Sequence, residues 1–527
     1  MRKAIYIASA LLTALALRLY PTFLSGLPFS TDAWSPIRNA EVLMRYTPIS
    51  IGNDEIFDGY NNYWPANSIF GIVFSYITGF KLMDAMAIGI PLAGALTILI
   101  FYVLAGRICG NSEITFLSTI LIAVAYPYVL FTAGVTKETY ANPLYVLILL
   151  IFLGCRGWRG LLLSTIASAV LVMSHHLTAL ITIAILVSIV LVVEAFRVRR
   201  GFTIDRFSVL LTSTLLLITI LYFSLYAWNG LKITITLSSM LSAASYQVIA
   251  FISAFHFISN PKPYSRKRTF LSCLLSIILV FLIILLATEK PIVSGAPILP
   301  RHYLIYAIPF ILISPLIVLG FGVIRDLGGE KYIVPIFWLT PLLGLEGYAI
   351  FGNSPLGLVL AYRALNFIWL PSAIISAFGL YKLLISRVKT SKFTVLLILL
   401  ILALNSYNFY ASIIIQERYL GYFWLYTNQE YVASEWITKV ANQAIMGDVK
   451  ASYLLNGYFN VYTSPEEGLQ YLIGDRDQIT LFTYRQMLRN GYVVYGGYSV
   501  DLPKNWMEKV EGLNLIYSNG QVEVYNR

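Results

Sequence analysis

The side chains of this sequence that can move protons or bind phosphate stand in short clusters far apart in the chain. They are Asp32 in FSTDAW, Lys137 and Glu138 in TAGVTKETYANPL, His175 and His176 in SHHLTAL, Glu289 and Lys290 in ATEKP, Arg301 and His302 in PRHYLIYAIP, and Arg363 in AYRALNFIWLP. A carboxylate can deprotonate a nucleophile or hold a metal, an imidazole can do either near neutral pH, and a guanidinium forks onto phosphate oxygens in a way an ammonium does not. Together these groups suit a transfer reaction in which a phosphate leaves and cations neutralise it. The sequence has no P-loop, no GxGxxG after a strand, no His-Glu-x-x-His and no zinc-type cysteine spacing, so nucleotide-driven chemistry and zinc proteolysis lose their simplest support.

The elements that must position these groups are helices in a membrane. Of the 527 residues 58% are hydrophobic and 12% are charged, where a soluble chain carries about 25% charged residues; mean hydropathy is +0.73. A hydrocarbon core of about 30 Å takes roughly 20 helical residues to cross. Apolar runs of about that length are Ala4 to Tyr20, Ala85 to Gly106, Ile114 to Phe131, Thr139 to Gly154, Gly160 to Ser174, Leu177 to Ala195 and Phe207 to Trp228. They continue with Met240 to Ser259, Phe270 to Thr288, Tyr303 to Val323, Tyr332 to Phe351, Ala364 to Tyr381 and Phe393 to Ala411, thirteen spans in all. The first follows Arg2 and Lys3 like a signal peptide but lacks a small-residue cleavage site, and reads as a retained helix. Asn67 to Met83 is interrupted by polar residues and reads as a helix lying at the interface. The span interiors are almost clean of charge, Glu346 being the main exception.

Lys and Arg set the orientation, because the loops they fill stay cytoplasmic. The loops on one side collect 19 cations against five acids, the loops on the other nine cations and eight acids. The N-terminus is therefore expected inside and the C-terminus outside, as a multi-pass protein of the plasma membrane, and the formal charge of +11 is a topological signal and not a nucleic-acid footprint. Cys109, Cys155 and Cys273 fall in or beside the cytoplasmic face, so no disulfide framework is expected outside. The chemistry-bearing residues all fall at the ends of spans on the outer side.

Two outer segments are large. Residues 21–84 carry Asp32, Glu41, Asp54, Glu55 and Asp58 among aromatic residues, and residues 412–527 are far less apolar. The expected organisation is a transmembrane domain over 1–411 and a separate extracytoplasmic domain over 412–527. In the latter, Glu430 to Ala441 has helical periodicity, Ile445 to Asp448 and Ile479 to Thr483 look like strands, and LIYSNGQVEVY reads as a hairpin turning at Asn519-Gly520.

This arrangement resembles the GT-C superfamily of membrane glycosyltransferases, which includes the oligosaccharyltransferase catalytic subunit, protein mannosyltransferases and lipid A aminoarabinose transferases. The shared pattern is a first helix, a long outer loop ending in an interfacial helix, a short second outer loop with an acid, about 13 spans and an outer C-terminal domain. The resemblance implies a polytopic α-helical GT-C-like fold with a small C-terminal α/β domain. It also implies transfer of a sugar from a polyprenyl-phosphate or pyrophosphate donor to a protein, lipid or glycan acceptor, among membrane lipids and without nucleic acid.

Asp32 stands where the family has its first-loop catalytic Asp, as a base or a ligand to a divalent metal such as Mg or Mn; the plain alternative is a solvated loop Asp or a helix N-cap. Ala33 and Trp34 follow it, so the strict Asp-X-Asp of some members is missing. Glu138, with Lys137 beside it, stands at the second acidic motif, its alternative being a charged pair that punctuates two helices. Glu289 is a looser match to a late acid of the oligosaccharyltransferase type. His175 and His176 point about 100° apart on a helix, so one at most faces the site; His175 completes a tentative metal set with Asp32 and Glu138. Arg301 and Arg363, with Lys137, are expected to bind donor phosphate, the alternative being arginines that snorkel. The Trp-Trp-Asp-Tyr-Gly signature of asparagine-linked transfer is absent. Glu346, Pro335 and Pro341 keep open a transporter, flippase or polysaccharide polymerase with broken helices, and a non-catalytic receptor that displays the tail is a third reading.

Overall fold

The computed structural model describes the chain apart from residues 1, 47, 49, 51, 53–55, 232–235, 260–264, 353–355, 386–387, 441–443, 466–479, 496–497 and 527. Asp54 and Glu55 of the expected first outer loop, and Ala441 and Ile479 at the edges of two expected tail elements, lie outside the described residues. The contacts divide the chain into two compact units, Met1–Arg18 with Leu92–Thr132 and Glu138–Phe409, and Leu19–Pro91 with Ala133–Lys137 and Tyr410–Arg527.

All thirteen predicted spans are helical. The helices are α1 (Arg2–Ser25), α2 (Trp34–Arg45), α3 (Ala66–Thr78), α4 (Leu82–Cys109), α5 (Ser112–Val124), α6 (Tyr126–Ala133), α7 (Lys137–Gly154), α8 (Gly157–Ser174) and α9 (His176–Arg199). They continue with α10 (Arg206–Leu225), α11 (Leu237–Ser259), α12 (Arg266–Ala287), α13 (Ile308–Leu327), α14 (Glu330–Phe351), α15 (Gly357–Leu384) and α16 (Val388–Tyr410). Among the described residues 11 helices are long and apolar enough to cross a membrane, or 12 if α5 and α6, bent by 60°, form one span. The fourth predicted span is α7, whose first turn carries Lys137 and Glu138 and dilutes its apolar character.

The bend between α5 and α6 has a chemical cause. Pro127 has no N–H to give the Ala123 carbonyl four residues back, and the Arg18 guanidinium takes over, its Nη1 donating to Ala123 O at 3.1 Å. Arg18 Nε also donates to Thr132 Oγ1 at 2.8 Å, and the Tyr126 N–H donates to Asn405 Oδ1 at 2.9 Å. Freed backbone groups at membrane depth must find such partners. Arg18 is fully buried, a correction to the expectation that Glu346 is the main charge within the spans.

In this first unit, α13 and α15 approach so closely that a Cβ on Gly320 would stand 1.8 Å from the Ile375 carbonyl oxygen. Small residues permit such backbone contact where lipid gives helices no hydrophobic incentive to associate. Within the apolar core, Trp338 Nε1–H donates to Tyr145 Oη at 2.8 Å. Helix α14 runs unbroken through Pro335 and Pro341, so the broken-helix expectation built on these two prolines does not hold.

In the second unit, the interfacial segment expected over Asn67 to Met83 is the shorter α3. It stops at Gly79, which takes φ 74° as its C-cap. Ile69, Val73, Tyr76 and Ile77 stay exposed on α3. The tail contributes α17 (Asn428–Val440), α18 (Val449–Leu455) and strands β1 (Ile445–Met446), β2 (Thr463–Ser464), β3 (Thr480–Tyr484), β4 (Tyr492–Tyr495), β5 (Tyr498–Asp501), β6 (Asn514–Ser518) and β7 (Val522–Asn526). One sheet has the order β2-β1-β3-β7-β6, and β4 and β5 pair alone. β1 runs parallel to β2 and β3, while β3 with β7 and β7 with β6 are antiparallel. The expected hairpin is β6–β7, with Gly520 at φ 84° in its turn.

Candidate functional site

In the first unit two of the candidate side chains, Glu138 and Arg363, meet between α7 and α15. Glu138 lies in the first turn of α7, where a helix N-terminus favours negative charge. Its side chain is 1% exposed, and a carboxylate that deep needs partners for its charge and its lone pairs. α15 supplies them from two positions one turn apart: Arg363 Nη1 donates to Oε2 at 2.9 Å and Asn366 Nδ2 to Oε1 at 2.6 Å. Asn142, one turn along α7, donates from Nδ2 to the Glu138 carbonyl at 3.0 Å. Arg363 is 28% exposed, so this buried acid is tied to a cation that reaches the surface.

Arg301 and Glu289 form a second pair, with Nη2 donating to Oε1 at 2.8 Å and side chains 78% and 55% exposed. Solvent screens such a contact, which is worth little by itself. His175 ends α8 and precedes α9 in extended backbone, φ −156°; its buried ring meets Thr178 Oγ1 through Nδ1 at 2.7 Å. The His176 ring centroid lies 5.1 Å from that of His175, and the helix break between the two accounts for their proximity without a shared helix face.

In the second unit, Asp32 is half-buried in a 3-10 turn, Thr31–Ala33. Ser30 caps this turn, its Oγ accepting from the Asp32 N–H at 3.3 Å. Ser30 has φ 95° and ψ 141°, a conformation that costs a non-glycine residue about 1–3 kcal/mol and persists only where the surroundings enforce it. The Lys137 ammonium lies over the rings of Tyr60 and Trp64, 4.0 and 5.1 Å from their centroids, which supply cation–π attraction.

Both Glu138 oxygens receive N–H donors and His175 Nδ1 is engaged with Thr178. Among the described residues no group of three His, Cys, Asp or Glu side chains gathers as a metal site.

Three polar residues that matter to these arrangements escaped sequence reasoning. Asn366 follows Arg363 by three residues and Asn142 follows Glu138 by four, the helical spacings that put two side chains on one face. That pattern is the signal that could have found them. Arg18 carries its own signal, a guanidinium inside the first predicted span.

No protein-family model matches the chain, and no curated protein does. Among solved structures, the oligosaccharyltransferase of Archaeoglobus fulgidus in its apo form superimposes with a TM-score of 0.60 at 14% identity, over 92% of this chain and 70% of that one. The same organism's AglB in complex with an inhibitory peptide and a dolichol-phosphate gives 0.58 at 13% identity, over 93% and 70%. ArnT from Cupriavidus metallidurans bound to undecaprenyl phosphate aligns over 99% and 97% at 10% identity, with a TM-score of 0.38 that is too low to carry an argument. At these identities the likeness is one of fold.

Proposed function

We propose that this chain, which has the fold of the GT-C membrane glycosyltransferases, transfers a sugar from a polyprenyl-phosphate-linked donor to an acceptor on the outer side of the plasma membrane. The observation that carries this reading is the buried Glu138 held by Arg363 and Asn366 at the head of α7, in a fold whose solved neighbour AglB was captured with a dolichol-phosphate. The positive-inside bias supports an inner N-terminus and an outer tail.

In the proposed reaction an acceptor hydroxyl attacks the anomeric carbon from the face opposite the phosphate. The bond from that carbon to the phosphate oxygen breaks, its electron pair leaves with the lipid phosphate, and configuration inverts. Asp32 takes the acceptor proton. Arg363 meets the phosphate while Glu138 holds it in place; a guanidinium has five N–H donors in one plane, so a bond to Glu138 and a bond to phosphate are compatible. Lys137 and Arg301 are the further cations for the donor, and His175, His176 and Glu289 remain secondary groups of the site.

The test is transfer or hydrolysis of radiolabelled polyprenyl-phosphate hexoses and pentoses by the purified full chain in nanodiscs. Asp32→Asn is expected to lower turnover about 10²–10⁴-fold with expression unchanged, and wild-type turnover by that variant would sink the assignment of the base. Movement of lipid across the bilayer without sugar transfer would favour a flippase instead. Titrating Mg or Mn into EDTA-treated protein tests the divalent-metal expectation, which unchanged turnover retires.

A further inference from the structure

The turn that carries Asp32 is held by the far end of the chain. Within the second unit, the Ser30 N–H donates to the Trp424 carbonyl at 2.9 Å, and the Phe29 ring lies 5.7 Å from that of Trp424. On the other flank of Asp32, the fully buried Trp34 meets the ring of Tyr426 edge-on at 5.0 Å, with Tyr458 at 5.6 Å. Tyr426 is anchored in turn, its hydroxyl donating to the Lys450 carbonyl at 2.9 Å. A third segment closes the arrangement, the Val135 N–H donating to the Phe29 carbonyl at 2.9 Å.

Asp32 thus sits between two pinned residues, Ser30 and Trp34, and both pins come from the tail segment 424–426. Ser30 holds φ 95° without being glycine, so the turn is not one the local sequence adopts unaided. The Trp424 carbonyl holds the Ser30 N–H on one flank of Asp32, and the Tyr426 ring meets Trp34 on the other.

We propose that Trp424 and Tyr426 are positioning residues for Asp32, so that the C-terminal segment is part of the machinery that aims the base. This rests on the reading of Asp32 as that base. The tail then serves the transfer step itself, in addition to any role in choosing the acceptor.

The experiment uses the full chain in nanodiscs and whichever polyprenyl-phosphate sugar the wild type turns over. Tyr426→Ala is expected to lower kcat about 10–100-fold, the scale of a small misplacement of a reacting group, with KM for the donor unchanged. Tyr426→Phe, which keeps the ring, recovers most of that loss. Added to Asp32→Asn, Tyr426→Ala causes no further fall, because it acts only through a group already removed. Tyr426→Leu, which keeps apolar volume without a ring edge, replaces the alanine variant if the latter fails to fold. Wild-type kcat in Tyr426→Ala, a rise in KM alone, or losses that multiply with Asp32→Asn overturn the proposal while leaving Asp32 as the base. Wild-type turnover by Asp32→Asn overturns both readings.

Discussion

Each unit buries a carboxylate against a cation, and the two pairs are built differently. In the second unit Glu430 and Lys450 are in contact with 6% and 2% of their side chains exposed. Glu430 also closes a capping box on α17: its Oε2 accepts from the Thr427 N–H at 2.7 Å, and Thr427 Oγ1 accepts from the Glu430 N–H at 3.3 Å. Lys450 Nζ lies 5.0 and 4.7 Å from the ring centroids of Tyr426 and Tyr484. In the first unit Glu138 is as deeply buried, but its partners come from α15, 225 residues away for Arg363, and that arginine is 28% exposed. A pair sealed on both sides by its neighbours is architecture. A pair whose acid is buried and whose cation reaches the surface is the arrangement that the proposed donor site would use.

The largest expected effect breaks the sealed pair. Glu430→Leu leaves Lys450 buried without its counter-charge, which costs about 3–5 kcal/mol, whereas replacing both partners by apolar groups is often neutral. The thermal midpoint in detergent should fall sharply in Glu430→Leu and recover most of the loss in Glu430→Leu/Lys450→Met. A double variant as unstable as the single would mean that the capping box, and not the ion pair, dominates.

How much of this was legible in the sequence follows from the range of the interactions involved. Spans were visible because a membrane imposes a length and a composition on each helix separately, and the β6–β7 hairpin because Asn519-Gly520 is a local signal. The 60° bend was not, since it depends on Arg18 and Asn405 reaching Ala123 and Tyr126 from other helices. At the site, Glu138 and Arg363 could be named by residue type, but that they bond each other, and that Asn366 completes the set, depends on the packing of α7 against α15. Arg301 and Arg363 looked equivalent as arginines before aromatic helices. Depth separates them, one beside an exposed acid and the other beside a buried one.

The open pair is expected to answer in turnover more than in stability. Glu138→Gln keeps the size but turns an amide donor toward Arg363 or Asn366 and removes the charge that orients the Arg363 guanidinium, a charge-assisted bond worth about 1.5–3 kcal/mol. Turnover should fall about 10–100-fold, and Arg363→Lys, which cannot bond Glu138 and phosphate in one plane, should raise KM for the donor. The thermal midpoints of both variants should stay closer to wild type than that of Glu430→Leu. A midpoint loss as large as that one, with turnover per folded molecule intact, would make the Glu138 pair architecture as well.

The smallest effect is a slope, and it concerns the other buried acid of the second unit. Asp448 caps α18, its Oδ1 accepting from the Ala451 N–H at 2.9 Å and its Oδ2 from the Val494 N–H at 2.8 Å and the Tyr484 hydroxyl. Burial pushes its carboxyl above the usual range, and these donors and the nearby Lys450 only partly offset it. A carboxyl raised in the folded protein keeps its proton after the unfolded chain has lost it near pH 3.9. Its stabilising contribution is therefore complete below that pH and lost as pH rises through the folded value. Asp448→Asn should lower the midpoint at every pH, because its amide turns a donor toward the Val494 N–H, and it should also remove this part of the decline between acid and neutral pH. Midpoints measured across that interval for both proteins, compared by slope, decide the matter: equal slopes would show that Asp448 is ionised in the fold, and that the second unit buries two ionised carboxylates where burial argues for one.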